Sequence, residues 1–260
     1  MKAIPAKEAL CALQWLPIVS PNRQRLFSAA MQREIKPDAT LEWLANDPLL
    51  LSALMDADNP CESAGSVIAA AGVGKLRRMA MGIRFKQPPI SPVTWSAMEF
   101  LRQSSATAGC VESISHALKS EYKGLVYLAG LFHDIGEALL AISMPRVYDD
   151  IQAVARITRR EIPGIESEVL GWDHAGLSAM VLRGWHFPAE ICDSVEFHHR
   201  PQSAPERSSQ LAFLLNEADN YFTSKSMACM ATGSLSFDNL SVTRTCMTYS
   251  PGASFVPSES

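Results

Sequence analysis

The sequence predicts an all-α fold. Apolar residues recur at helical spacing through most of the 260 residues, and β-branched alternating runs are nearly absent before Leu235. Proline and glycine stand where helices would begin and stop. The chain is 47% hydrophobic and 19% charged, a globule's composition with enough apolar matter for a substantial core.

The elements follow in order. Asp38 or Thr40 can cap a short helix over Leu41–Asn46, and Asp47-Pro48 restarts a second, with Pro in the tolerated first turn and Leu49, Leu50 and Leu54 facing inward. Ser63–Ala71 carries Val67, Ile68 and Ala71 on one face, and Gly72 stops it. Lys75–Phe85 is amphipathic, with Leu76, Met79, Ala80 and Ile83 on one stripe and Lys75, Arg77, Arg78 and Arg84 off it. Gln87-Pro-Pro-Ile-Ser-Pro92 breaks the chain and is the expected internal hinge. Beyond it, helices are expected over Thr94–Lys119, Tyr122–Ala141, Arg146–Thr158, Ile165–Arg183, Pro188–His198 and Glu206–Met227. Leu235–Thr243 reads as a strand-like piece or nothing regular, and the Ser-, Thr- and Gly-rich stretch from Thr232 as a mobile tail.

Composition narrows the function. A net charge of −4 supplies no global basic field for nucleic acid or anionic membrane. The basic stripe from Lys75 to Lys86 reads as a solvated amphipathic face against a nucleic-acid alternative. The first residues lack a signal peptide's apolar core, and no uncharged apolar run approaches the roughly 18 residues of a membrane helix. Six cysteines without a CxxC pair (Cys11, Cys61, Cys110, Cys192, Cys229, Cys246) read as reduced thiols. The expectation is a cytoplasmic protein, with neither membrane nor nucleic acid as its partner.

Chemistry concentrates in Leu128-Ala-Gly-Leu-Phe-His-Asp-Ile-Gly136. An imidazole and a carboxylate end an apolar helix there, a costly burial unless both are bound, and Gly136 is expected to let the backbone turn away. Phe197-His198-His199, Asp173-His174 and Asp219 complete a His/Asp set that could hold a metal. Other readings stand beside this one. His133-Asp134 can be a satisfied helix-end pair, Asp173 a local hydrogen-bonding group and Asp219 a solvated helical acid. His186 reads as a packing residue at a turn, His116 as an ordinary helix residue, and Trp95, Trp172 and Trp185 as core.

In this order and spacing the segments resemble the HDOD family, the regulatory relatives of HD-domain metal phosphohydrolases. The likeness runs from about Leu16-Pro17 to Pro201. It includes Asn46-Asp-Pro-Leu-Leu-Leu-Ser-Ala-Leu-Met55, Ala57-Asp-Asn59, Val67-Ile-Ala-Ala-Ala-Gly72 and Leu76-Arg-Arg78. The second half adds the His133-Asp134 segment, Glu166 through Asp173-His174-Ala-Gly176, Trp185-His-Phe-Pro188 and Val195-Glu-Phe-His-His-Arg-Pro201. It implies an HD-like helical bundle over 14–205, with an N-terminal helical part at 14–86 and an HD-like part at 92–205. A trailing helix at 206–228 and a tail at 229–260 follow.

The resemblance also implies a ligand set of His133, Asp134, His174, His198, His199 and Asp219 for a divalent ion such as Fe, Mn, Zn or Mg. Similar active enzymes add a histidine on the preceding helix, where this chain has Gln103, a neutral and weaker donor. Glu137 stands where related cyclic-dinucleotide phosphodiesterases carry a phosphate-holding lysine, Arg200 where they carry glutamate, and the Gly-Tyr-Pro signature is missing. The expectation is a bacterial signalling protein that is catalytically inactive and acts through a protein partner or a small ligand, while still able to hold a cation. The alternative is a metal-dependent phosphohydrolase acting on a nucleotide or cyclic dinucleotide.

Overall fold

A computed structural model describes residues 44–55, 63–83, 92–117 and 123–232. The expected helix over Leu41–Asn46 is described only from Leu44. Most of the hinge candidate, the strand-like piece at Leu235–Thr243 and the tail beyond Thr232 lie outside the described residues. So do residues 84–86 and the side chains of Arg77 and Arg78. The described part of that basic stripe, Lys75, turns inward, its ammonium donating to Leu54 O at 3.0 Å.

Every regular element among the described residues is helical. The helices are α1 (Pro48–Ser52), α2 (Ala64–Ile83), α3 (Ala97–Ala117), α4 (Lys123–Phe132) and α5 (Ile135–Ser143). There follow α6 (Pro145–Thr158), α7 (Ile162–Leu170), α8 (His174–Gly184), α9 (Ala189–Glu196) and α10 (Glu206–Thr232). A 3₁₀ turn at Pro201–Ser203 precedes α10. Asp47 caps α1 by accepting from Leu50 N at 3.0 Å, and Pro48 opens the helix as expected. Gly72 (φ 63°) bends α2 where the stop was read, but the helix resumes beyond it.

Two long helices expected from periodicity are each broken. Tyr122–Ala141 divides at His133-Asp134 into α4 and α5, and Ile165–Arg183 divides at Gly171 (φ 81°) into α7 and α8. Apolar spacing continues through both breaks, so the pattern alone reads them as continuous. The breaks place polar side chains at helix ends, where they point into one space.

The main core gathers α3, α4, α8, α9 and α10 around Phe132, Leu128, Leu131, Ile135, Leu182 and Leu215, with Trp185 5.2 Å from Phe132. Trp95 and Trp172 pack against it partly buried. A smaller cluster of Leu140, Tyr148, Ile151, Ile165 and Leu170 joins α5, α6 and α7. Gly130 and Gly136 set the tightest approaches. A Cβ on Gly130 would lie 2.7 Å from Ala108 Cα, so α3 and α4 meet backbone to backbone. Leu125–Ser143 is apolar and long enough to cross a membrane by composition, yet 78% of it is packed inside the protein and it is broken at His133-Asp134. Cys110 and Cys192 are buried free thiols, both pushed up to about 11 by burial.

Candidate metal centre

Three histidines are aimed through Nδ1, two by a main-chain carbonyl and one by a carboxylate. The ring of His133, one residue beyond α4, donates from Nδ1 to Gly130 O at 2.8 Å. The ring of His198, just beyond α9, donates from Nδ1 to Val195 O at 2.7 Å. Each uses a carbonyl in the last turn of its helix, and each thereby turns Nε2 inward. His174 opens α8, and its Nδ1 lies 2.7 Å from Glu166 Oε2, which also accepts the His174 main-chain N–H at 2.8 Å. Asp173 caps the same helix by accepting from Gly176 N at 2.8 Å, the local bond expected of it.

Gly136 does not turn the backbone away. Its N–H donates to Ser178 Oγ at 2.9 Å, and Ser178 Oγ donates to His174 O at 2.9 Å. A Cβ on Gly136 would stand 2.2 Å from His174 O, so only glycine lets α5 reach α8 and bring Asp134 beside His174. The glycine serves close approach; the turn is made by His133 and Asp134 themselves.

Asp134 lies between the histidines. Its Oδ2 is 3.0 Å from His133 Nε2, while Oδ1 is 3.5 Å from His174 Nε2 and 3.4 Å from His198 Nε2. Neither Asp134 Oδ1 nor His198 Nε2 makes an aligned hydrogen bond, though both are buried. His199 Nε2 stands 2.7 Å from His174 Nε2. Asp219, on α10, is 3.5 Å from His133 Nε2 and accepts from Gln103 Nε2 at 2.6 Å. All six residues expected in the site are thus brought together, along with Gln103. Donor atoms of Asp134, His174, His198 and His199, and separately of His133, His198 and Asp219, converge closely enough to surround an ion.

These groups fit a divalent cation. Asp134 Oδ1 and His198 Nε2 are buried without an aligned partner, and the donors are imidazole nitrogens and carboxylate oxygens held from behind. Burial opposes charge on His133, but the Asp134 and Asp219 carboxylates outweigh it and its pKa rises well above the ordinary value. Burial likewise raises Asp134, yet His133 and the other imidazoles hold it well below the carboxylate range. His174 rises to about 10, burial being overcome by Glu166 and then Asp134. Burial, with His198 and His174 nearby, drives His199 far down. Protons and a cation would therefore compete for the same nitrogens.

Three residues need correction or addition. His186 is exposed with φ 58°, so it is a turn residue with its ring in solvent and not a packing residue. Glu166 was not read as part of the site; it lies one helix earlier than its partner, and the reversal at Gly171 that joins them leaves no periodic signal. Glu137 accepts from Tyr148 Oη at 2.6 Å, and burial and then Asp134 push it up to about 7. A cleft of about 430 Å³ opens onto the centre at His199, lined also by Glu161, Asp173, Glu196, Arg200 and Asn216.

The structure is similar to the MmoQ response regulator of Methylococcus capsulatus str. Bath, at 20% identity and a TM-score of 0.66, covering 89% of this chain and 93% of that one. It is equally similar to a virulence factor of Campylobacter jejuni subsp. jejuni, at 20% identity and a TM-score of 0.66, over 94% and 98%. These likenesses establish the fold. An uncharacterized protein of Treponema pallidum (strain Nichols) is 30% identical over 88 residues, 33% of this chain, and the match spans only 17% of that relative's length. The HDOD domain profile matches residues 16–201, which cover most of the sequence and every site residue except Asp219. The chain belongs to the HDOD family.

Proposed function

We propose that this chain is a regulatory signalling module that holds a divalent cation (Fe, Mn, Zn or Mg) and works by binding a protein partner or a small ligand such as a nucleotide, without hydrolytic turnover. The observation that carries this reading is the charge around the centre's opening. Glu161, Asp173 and Glu196 line the cleft, and Arg200 is its one cation among the described lining residues. That guanidinium lies 3.7 Å from Asp173 Oδ2, so much of its charge is already answered. A phosphate ester entering here would approach carboxylates without a free cationic clamp.

The ligands of the cation would come from His133, Asp134, His174, His198, His199 and Asp219, whose donor atoms converge in two adjoining groups. When bound, a divalent cation supplies Lewis acidity and neutralises anionic charge. The chain's own residues do the positioning. Gly130 O, Val195 O and Glu166 fix three imidazoles, and Gly136 with Ser178 fixes the distance between Asp134 and His174.

A phosphohydrolase acting on a nucleotide or cyclic dinucleotide is the second reading, and Asp134 favours it, since its two oxygens face different histidines. Elemental analysis of freshly purified full chain, paired with hydrolysis of bis(p-nitrophenyl) phosphate, separates the two. The proposal expects bound Fe, Mn or Zn and a rate no higher than that of the Asp134→Asn variant. Turnover that requires both His133 and Asp134 would overturn it.

A further inference from the structure

We propose that the centre takes one divalent cation, on Asp134, His174, His198 and His199, and that Gln103, by donating to Asp219, closes the adjoining half formed by His133 and Asp219. This rests on the reading of the site as a cation-holding centre and specifies how many ions it takes and where.

The two halves differ in how far their polar atoms are already satisfied. In the first half, Asp134 Oδ1 and His198 Nε2 are buried, face each other at 3.4 Å and have no aligned hydrogen bond. His174 Nε2 and His199 Nε2 meet at 2.7 Å, nitrogen to nitrogen. The two rings of that contact satisfy each other, but Asp134 Oδ1 and His198 Nε2 do not, and a cation among the four groups would complete them. His174 is held there by Glu166, and the cleft reaches His199, which gives an entry path.

In the second half the protein supplies its own partners. Gln103 Nε2 donates to Asp219 Oδ1 at 2.6 Å, and His133 Nε2 faces Asp134 Oδ2 at 3.0 Å and Asp219 Oδ1 at 3.5 Å. An ion there would have to displace the amide hydrogen bond, and the amide nitrogen facing the carboxylate carries no lone pair to replace it. An imidazole at position 103 could instead present a ring nitrogen to the same space, which makes the closure reversible by one substitution.

The test is a titration of the chelator-treated full-length chain with Co²⁺, followed by visible absorption and by equilibrium dialysis with metal analysis. The wild type is expected to saturate at a metal-to-protein ratio of about one. His174→Ala and His199→Ala should lose that equivalent while keeping the helical circular-dichroism spectrum. Asp219→Asn should retain it, and Gln103→His should add a second. Should an alanine variant fail to fold, the Asp219→Asn and Gln103→His endpoints still decide the question. A wild-type endpoint of two overturns this inference and leaves the cation-holding reading intact. An endpoint of zero overturns both. An Asp219→Asn protein that loses its only equivalent places the ion in the half described as closed, and overturns the inference alone.

Discussion

Glu166 Oε2 accepts two hydrogens from one residue, the main-chain N–H of His174 at 2.8 Å and its ring Nδ1 at 2.7 Å. The carboxylate is fully buried and so fixes both the start of α8 and the direction of the imidazole. Glu166→Gln keeps the volume but removes the charge that orients the ring. Chelator competition should show Zn²⁺ affinity falling about ten- to a hundredfold, with helical content unchanged. Unaltered affinity would show that His174 needs no such partner.

Gly136 and Gly109 form an internal contrast. A methyl on Gly136 would collide with His174 O at 2.2 Å, backbone against backbone, whereas one on Gly109 meets nothing within 4 Å. Gly136→Ala is expected to destabilise by more than about 3 kcal/mol, because neither backbone can yield alone. Gly109→Ala should stabilise by up to about 1 kcal/mol through helix propensity. Urea denaturation of the two variants checks both signs.

Glu137 predicts a pH dependence. Its folded value near 7 exceeds the ordinary 4.5 because burial, and then Asp134, disfavour the carboxylate. Below pH 4.5 the group is neutral in both states and carries no penalty. As pH rises from 4.5 through about 7, the unfolded chain ionises first and the folded state loses stability, by about 3 kcal/mol at most. Glu137→Gln should therefore gain more stability at pH 8 than at pH 5. Thermal melts of chelator-treated protein measure the difference, and an equal gain at both pH values would contradict the assignment.

His133-Asp134 and His198-His199 were legible because two adjacent polar groups beside apolar runs need partners, and the fold draws the two pairs together. The all-helical architecture was legible from spacing for the same reason that its breaks were not. Phe132 and Ile135 are both buried, so the apolar pattern runs straight through the point where the chain turns. Gly136 was correctly singled out but for the wrong reason, since only the packed structure shows what its missing Cβ makes room for. Asp219 had almost no local signal. Its place in the site depends on α10 packing across α3, which brings it to Gln103 from 116 positions away.

The central claim is that a cation-holding HD-like centre here does not turn over phosphate esters. Its most direct test is steady-state hydrolysis of a cyclic dinucleotide by the full chain, separately loaded with Mn²⁺ and Fe²⁺, beside Asp134→Asn protein carried through the same preparation. The account predicts equal product formation in the two proteins. Sustained turnover by the wild type that Asp134→Asn abolishes would contradict it.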